Sequence, residues 1–454
     1  MSIRRFIRLA SALALTAGTI TASVTVTSPA SAASAGDALW TKPYNASFLS
    51  AAVSPDGATV FVAGTTSDAP YGYATVAYNA STRTKLWARR YGGPDHLGGQ
   101  ASALVVSPDG TTVFVTGTTN DGYGTVAYDA TTGSKEWAKS YDGGAAFSVA
   151  YSIAVMPNGK RVFVTGVSGS DCATVAYRAS SGAELWAKRY ANCTGYAVTA
   201  SPDGTKVFVT GQSFSTTTGK NGYVTIAYAT TTGERLWLKR YYGPFGFFDG
   251  PADALAVSPD GTKVFVTGAV QTDPSMGIGD AATVAYNAST GEKLWAKRYE
   301  GPSGGDDGAR SIAVSPDGTR VFVTGFSSDL ASREGDYVTV AYGASTGEEL
   351  WAKRYGGPAN GDDGAWSMAV SPGGKKVFVT GGSAGSTTDS DYATVAYNAS
   401  TGVRLWAKRY NGPTDGQDIG RSVAVSPDGT NVFVTGSSVT GGATIDGVTI
   451  AYAA

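Results

Sequence analysis

The chain has 454 residues, and 35 lysines and arginines face 36 aspartates and glutamates, leaving a formal charge of -1. Without a basic excess it lacks the surface that displaces counterions, which excludes general nucleic-acid affinity. With 61 glycines and 25 tyrosines against 4 methionines, it suits turns and short strands better than helices, and its length calls for a modular fold.

Residues 1–32 read as a secretory signal peptide. Arg4, Arg5 and Arg8 make a cationic start, Leu9 to Val26 is apolar and small, and Ala30-Ser31-Ala32 offers a cleavage site. Arg8 interrupts the apolar residues that should follow a twin-arginine pair, so ordinary secretion is the reading. No later stretch approaches the ~20 apolar residues of a membrane span. The expected product is a bacterial monomer outside the cytoplasm, with the periplasm as one destination.

The first strand signal, "ALWTKPY" (Ala38 to Tyr44), stands alone. After it a phrase, "VSPDGTTVFVTG", recurs with its Ser-Pro serine or equivalent at Ser54, Ser107, Met156, Ser201, Ser258, Ser315, Ser371 and Ser426. Tryptophans keep the same beat at Trp40, Trp87, Trp137, Trp186, Trp237, Trp295, Trp351 and Trp406, and only Trp366 falls outside it. Each repeat gives four strand signals. "RSIAVS" (Arg310 to Ser315) is reversed by Pro316-Asp317-Gly318 into "RVFVTGF" (Arg320 to Phe326). A variable loop leads to "YVTVAY" (Tyr337 to Tyr342), and "ASTG" turns the chain into "ELWAKRY" (Glu349 to Tyr355). No segment sustains a helical period.

Four antiparallel strands repeated eight times predict an all-β fold, an eight-bladed β-propeller over residues 33–454. The last repeat stops at "VTIAYAA" (Val448 to Ala454), before any tryptophan strand. The amino-terminal "ALWTKPY" is therefore expected to complete the last blade and close the ring.

"AYNASTGEKLW" (Ala285 to Trp295) resembles the tryptophan-docking repeat of quinoprotein alcohol dehydrogenases and their relatives, A-x-D-x-x-T-G-x-x-x-W. Thr132-Gly133 with Trp137, Thr232-Gly233 with Trp237 and Thr346-Gly347 with Trp351 match it. The aspartate survives only at Asp129, and Arg83 replaces the glycine in the first full copy. The resemblance implies that each tryptophan wedges between adjacent blades. Family members that bind pyrroloquinoline quinone commonly sandwich it between a tryptophan and a disulfide of adjacent cysteines, above a calcium ion. Cys172 and Cys193 are not adjacent, and no segment matches the calcium or catalytic motifs. Neither the cofactor nor a catalytic residue is carried over.

His96 is the only histidine, which excludes multi-histidine zinc sites and leaves a serine triad without a second choice of base. A glycan-active enzyme using two carboxylates stays open. The variation between repeats falls in the loops joining strands two and three and in those joining blades, so the face they share is expected to carry specificity. There, Phe245, Phe247 and Phe248 in "YYGPFGFFDGP" read as an aromatic patch or an inward plug. Trp366 reads as a stacking platform or as core. Asp306, Asp307, Asp362, Asp363 and Asp418, with Asp249, Asp253 and Asp415 nearby, read as a weak Ca²⁺ site or as solvated turns. Cys172 and Cys193 are expected to form a disulfide, which export permits. The Lys-Arg pairs of "AKRY" read as protection of the blade edges, or as a rim for anionic polymers.

The leading functional reading is a secreted, non-catalytic propeller that binds an extracellular glycan, wall component or protein. The rivals are a dehydrogenase-like or carboxylate-based enzyme and a structural wall component.

Overall fold

The computed structural model describes residues 33–93, 98–145, 147–246, 249–273, 275, 277–302, 304–332, 334–359, 361–385, 389–441 and 444–454. They form eight antiparallel four-stranded sheets, seven of them built from consecutive strands. The eighth takes its inner three strands, Asp418–Val425, Asn431–Gly441 and Thr444–Ala453, from the end of the chain. Its outer strand is Ala38–Tyr44. Trp40 pairs with Ala451 and Tyr44 with Gly447 across that junction. Each inner strand packs against the inner strands of both neighbouring blades, which closes a ring around a central axis. The protein is an eight-bladed β-propeller.

Blade stacking explains the sequence pattern. The middle strands are covered on both faces, so "VFV" and "TVAY" are buried continuously instead of alternating. The outer strand buries little besides its tryptophan. Each of the eight repeat tryptophans is 6–8% exposed. Trp87 packs between Phe61 of its own blade and Tyr128 of the next, with ring centroids 5.8 and 6.0 Å away. Its Nε1–H donates to the Ala130 carbonyl of that next blade at 2.9 Å. Trp40, Trp137, Trp186, Trp237, Trp295 and Trp351 repeat this bond at 2.7–3.2 Å. An indole hides ~150–250 Å², so at ~25 cal/mol/Å² each contributes up to about 4–6 kcal/mol.

The indole lies on the glycine that ends the Ser-Thr-Gly turn. A Cβ at Gly291 would sit 2.7 Å from the Trp237 ring, and its φ of +69° already favours glycine. The same contact reveals how the ring closes. Gly36 meets Trp406, its N–H donates to the Ala453 carbonyl at 2.7 Å, and the Ala453 N–H donates to Asp37 at 2.9 Å. Ser34-Ala35-Gly36 thus rebuilds, from the other end of the chain, the turn that joins the third and outer strands elsewhere.

Candidate functional site

Every inner strand carries one irregularity, and all eight fall at the same repeat position. The register slips at Leu49, Ser102, Tyr151, Tyr196, Asp253, Arg310, Trp366 and Arg421, each preceded by Phe48 or a buried alanine or glycine. A bulge leaves its residue outside the ladder and re-aims its side chain. The following serine secures the neighbouring blade: the N–H groups of Leu104, Val198, Met368, Val423 and Ala51 donate to Ser50, Ser152, Ser311, Ser367 and Ser422 at 3.1–3.3 Å. The last bond joins blade eight to blade one.

Six of the bulge residues, from Tyr151 to Arg421, influence one another in ring order. Tyr151 and Tyr196 have centroids 5.2 Å apart, and Tyr196 feels the charge of Asp253. Burial lifts Asp253 to about 7, opposed by the attraction of Arg310. The Arg310 guanidinium lies 3.6 Å from the centre of the Trp366 ring and 5.1 Å from that of Phe326. Arg421 lies 4.4 Å from Trp366. Burial lowers the pKa of both arginines, though not enough to discharge them. Among the described residues neither guanidinium donates a hydrogen bond, and the buried Nε–H of Arg421 has no acceptor. Trp366 is 38% exposed, unlike the eight buried tryptophans. Beside it a cavity of about 300 Å³ is lined by Arg310, Phe326, Ser328, Asp362, Trp366 and Ser390, among others. The arrangement supplies unspent cationic donors next to aromatic walls.

The acidic loops are built differently from what a shared metal site would need. Asp249, Asp307, Asp363 and Asp418 each accept the N–H of the glycine six residues before them, Gly243, Gly301, Gly357 and Gly412. Asp249 and Asp363 give their second oxygen to the N–H of Gln271 and Ala384 at 2.9 and 2.8 Å. Burial raises the carboxyls of all four, Asp307 to about 6, while the Ser327 hydroxyl beside Asp307 works against it. Asp306 and Asp362 accept from Gly279 and Gly335 at 2.9 and 3.3 Å. Each of these carboxylates therefore accepts from backbone N–H groups of its loop or of a neighbouring strand, Asp307 and Asp418 keep one buried oxygen without a partner, and among the described residues no three His, Cys, Asp or Glu side chains converge as metal ligands.

A family model described as "Outer membrane protein assembly factor BamB", built on PQQ-like repeats, matches residues 8–237, 220–329 and 280–450. The chain belongs to this PQQ-repeat family. No curated protein matches the sequence. Solved structures share the architecture at low identity. The hydrazine synthase of Kuenenia stuttgartiensis is 16% identical with a TM-score of 0.52, covering 74% of this chain and 92% of that one. The C-terminal WD40 domain of Sif2 is 10% identical with a TM-score of 0.61, covering 93% and 99%. The Dos1 propeller is 11% identical with a TM-score of 0.61, covering 90% and 94%. At these identities the likeness is one of fold alone.

The family name raises the quinone, and the residues of this PQQ-repeat propeller do not fit it. The aromatic face that would floor a flat cofactor, Trp366, carries the Arg310 guanidinium. Cys172 and Cys193 are joined as a disulfide with Cα atoms 4.9 Å apart, but this bond ties the third strand of blade three (Asp171–Arg178) to the inner strand of blade four (Cys193–Ala200). It does not form a vicinal platform. Phe245 is 43% exposed in its inter-blade loop. Phe247, Phe248 and His96 lie outside the described residues, as does the segment 1–32. In "AKRY" the arginine is spoken for in several blades: Arg189, Arg298, Arg354 and Arg409 pair with Asp171, Asp280, Asp336 and Asp391 of the third strand at 2.8–3.3 Å. Sequence reasoning singled out Trp366 but missed the ring to which it belongs. The signal was present as a small residue (Phe48 in the first copy), a varied residue, then serine or alanine shortly before the Ser-Pro turn, with Leu, Ser, Tyr, Tyr, Asp, Arg, Trp and Arg in the varied place.

Proposed function

We propose that this PQQ-repeat propeller is an exported, non-catalytic binding protein that receives its ligand at the channel mouth, on the face of the varied loops. The observation that carries this reading is the bulge ring. Eight equivalent positions on an otherwise uniform scaffold hold six kinds of side chain; Arg310 and Trp366 line a cavity, and Arg421, whose Nε–H has no acceptor, lies against Trp366. Concave sites with aromatic walls and a few polar groups are where ligands bind. Export is supported by the character of residues 1–32 and agrees with a family described by an outer-membrane assembly factor.

The test is an array of bacterial wall glycans and secreted-protein fragments probed with the purified chain and with Trp366→Ala. Binding that disappears in the variant, while its melting midpoint is unchanged, is expected. Binding that Trp366→Ala leaves intact would remove the channel reading. The enzyme reading has one observation behind it, the elevated Asp253 carboxyl in the same channel. Release of reducing sugar from array glycans, lost in Asp253→Asn, would decide for it.

A further inference from the structure

Extending the channel-mouth reading, on which this step rests, we infer that the mouth beside blades six and seven takes a ring-sized organic carboxylate, with a uronic acid as the saccharide case. The argument begins with charge. Arg310 and Arg421 are partly buried, remain cationic, and hold their guanidinium carbons 3.6 and 4.4 Å over the Trp366 ring without donating a hydrogen bond among the described residues. Asp253 attracts Arg310, and among the described residues no ion pair joins them. Stacking fixes the plane of a guanidinium and leaves its edge free, and that edge matches a carboxylate bidentately.

Size comes next. A cavity of about 300 Å³ lies at the lower end of small-molecule sites, enough for one sugar-like ring. The walls then set polarity. Phe326 and Trp366 offer apolar surface, while the Ser328 and Ser390 hydroxyls and the exposed Asp362 carboxylate, one oxygen of which accepts from Gly335, are the polar groups of the lining. Asp363 also lines the cavity, but its carboxylate is committed to Gly357 and Ala384. A neutral sugar would leave the guanidinium edges unmatched, and a bare phosphate would leave the aromatic and hydroxyl walls unused.

The experiment is calorimetric titration of the purified chain with glucuronate, glucose and inorganic phosphate. Glucuronate is expected to bind at least tenfold more tightly than either. Arg310→Gln should weaken it at least tenfold, Arg310→Lys should give an intermediate loss, and Glu348→Gln on the opposite face should change nothing. The melting midpoint of each variant checks that it is folded. Equal binding of glucose or of phosphate, no heat with glucuronate, or indifference to Arg310→Gln would overturn the inference. If a neutral glycan from the array still loses its binding in Trp366→Ala, only the carboxylate claim falls. If no array ligand depends on Trp366, the channel reading falls with it.

Discussion

Arg83 occupies the turn position that glycine holds elsewhere, and it keeps the same left-handed backbone, with φ +69° beside +69° at Gly133 and +66° at Gly347. A side chain there costs ~1–2 kcal/mol of strain, offset in part by the greater freedom glycine has in the unfolded chain. Arg83→Gly should therefore stabilise the protein by up to ~1 kcal/mol in denaturant unfolding. The reverse change, Gly291→Ala, adds a Cβ 2.7 Å from the Trp237 ring as well as the strain, and should cost ~2–3 kcal/mol. Gly373→Ala, which meets nothing within 4 Å, should stay within ~0.5 kcal/mol. A loss at Gly373 equal to that at Gly291 would mean that the tryptophan contact is not what the glycine serves.

The strands themselves were legible because blade stacking imposes the same demand eight times: a β-branched and aromatic second strand, a turn of Pro-Asp-Gly, and one tryptophan per outer strand. The closing strand was legible from its isolated tryptophan. Its turn was equally visible as Ser34-Ala35-Gly36, but it is recognisable only once Gly36 is seen beneath Trp406. The bulge ring was harder to read, since a varied residue in a strand looks solvent-facing, and periodicity alone does not mark where a register slips. The acidic loops left two readings open, a weak Ca²⁺ site or turns, for a related reason. A carboxylate that caps its own backbone and one that awaits a metal look alike in sequence, and only the N–H groups of Gly301 and Gly357 tell them apart. Removing Asp37–Tyr44 strips the outer strand and Trp40 from blade eight, so the melting midpoint should fall by ~10 °C or more. Reducing the Cys172–Cys193 bond, which spans 21 residues, should cost about 3 kcal/mol. An unchanged midpoint in dithiothreitol would show that blades three and four do not depend on their covalent link.

Across the whole molecule, two populations of aspartate pull stability in opposite directions with pH. In the Pro-Asp-Gly turns the preceding serine donates to the carboxylate, which lowers Asp56, Asp109 and Asp428, and takes Asp203, Asp260 and Asp317 to about 2. These groups hold their proton less tightly folded than unfolded. Their contribution is complete above the ordinary 3.8 and fades as pH falls toward 2. The channel and loop acids run the other way. Burial raises Asp249, Asp306, Asp363 and Asp418, Asp307 to about 6 and Asp253 to about 7. Folding therefore favours their protonated forms, and that contribution is lost as pH rises from 3.8 through 7. The melting midpoint should peak in mild acid, around pH 4–5, and decline on both sides. Asp253→Asn removes the group with the highest value without removing a hydrogen bond, so it should flatten the decline above pH 5 and leave the acid limb in place. Calorimetric scans from pH 2.5 to 8 decide the matter: a midpoint still rising through pH 7 would mean that the loop carboxylates are better solvated than their burial implies.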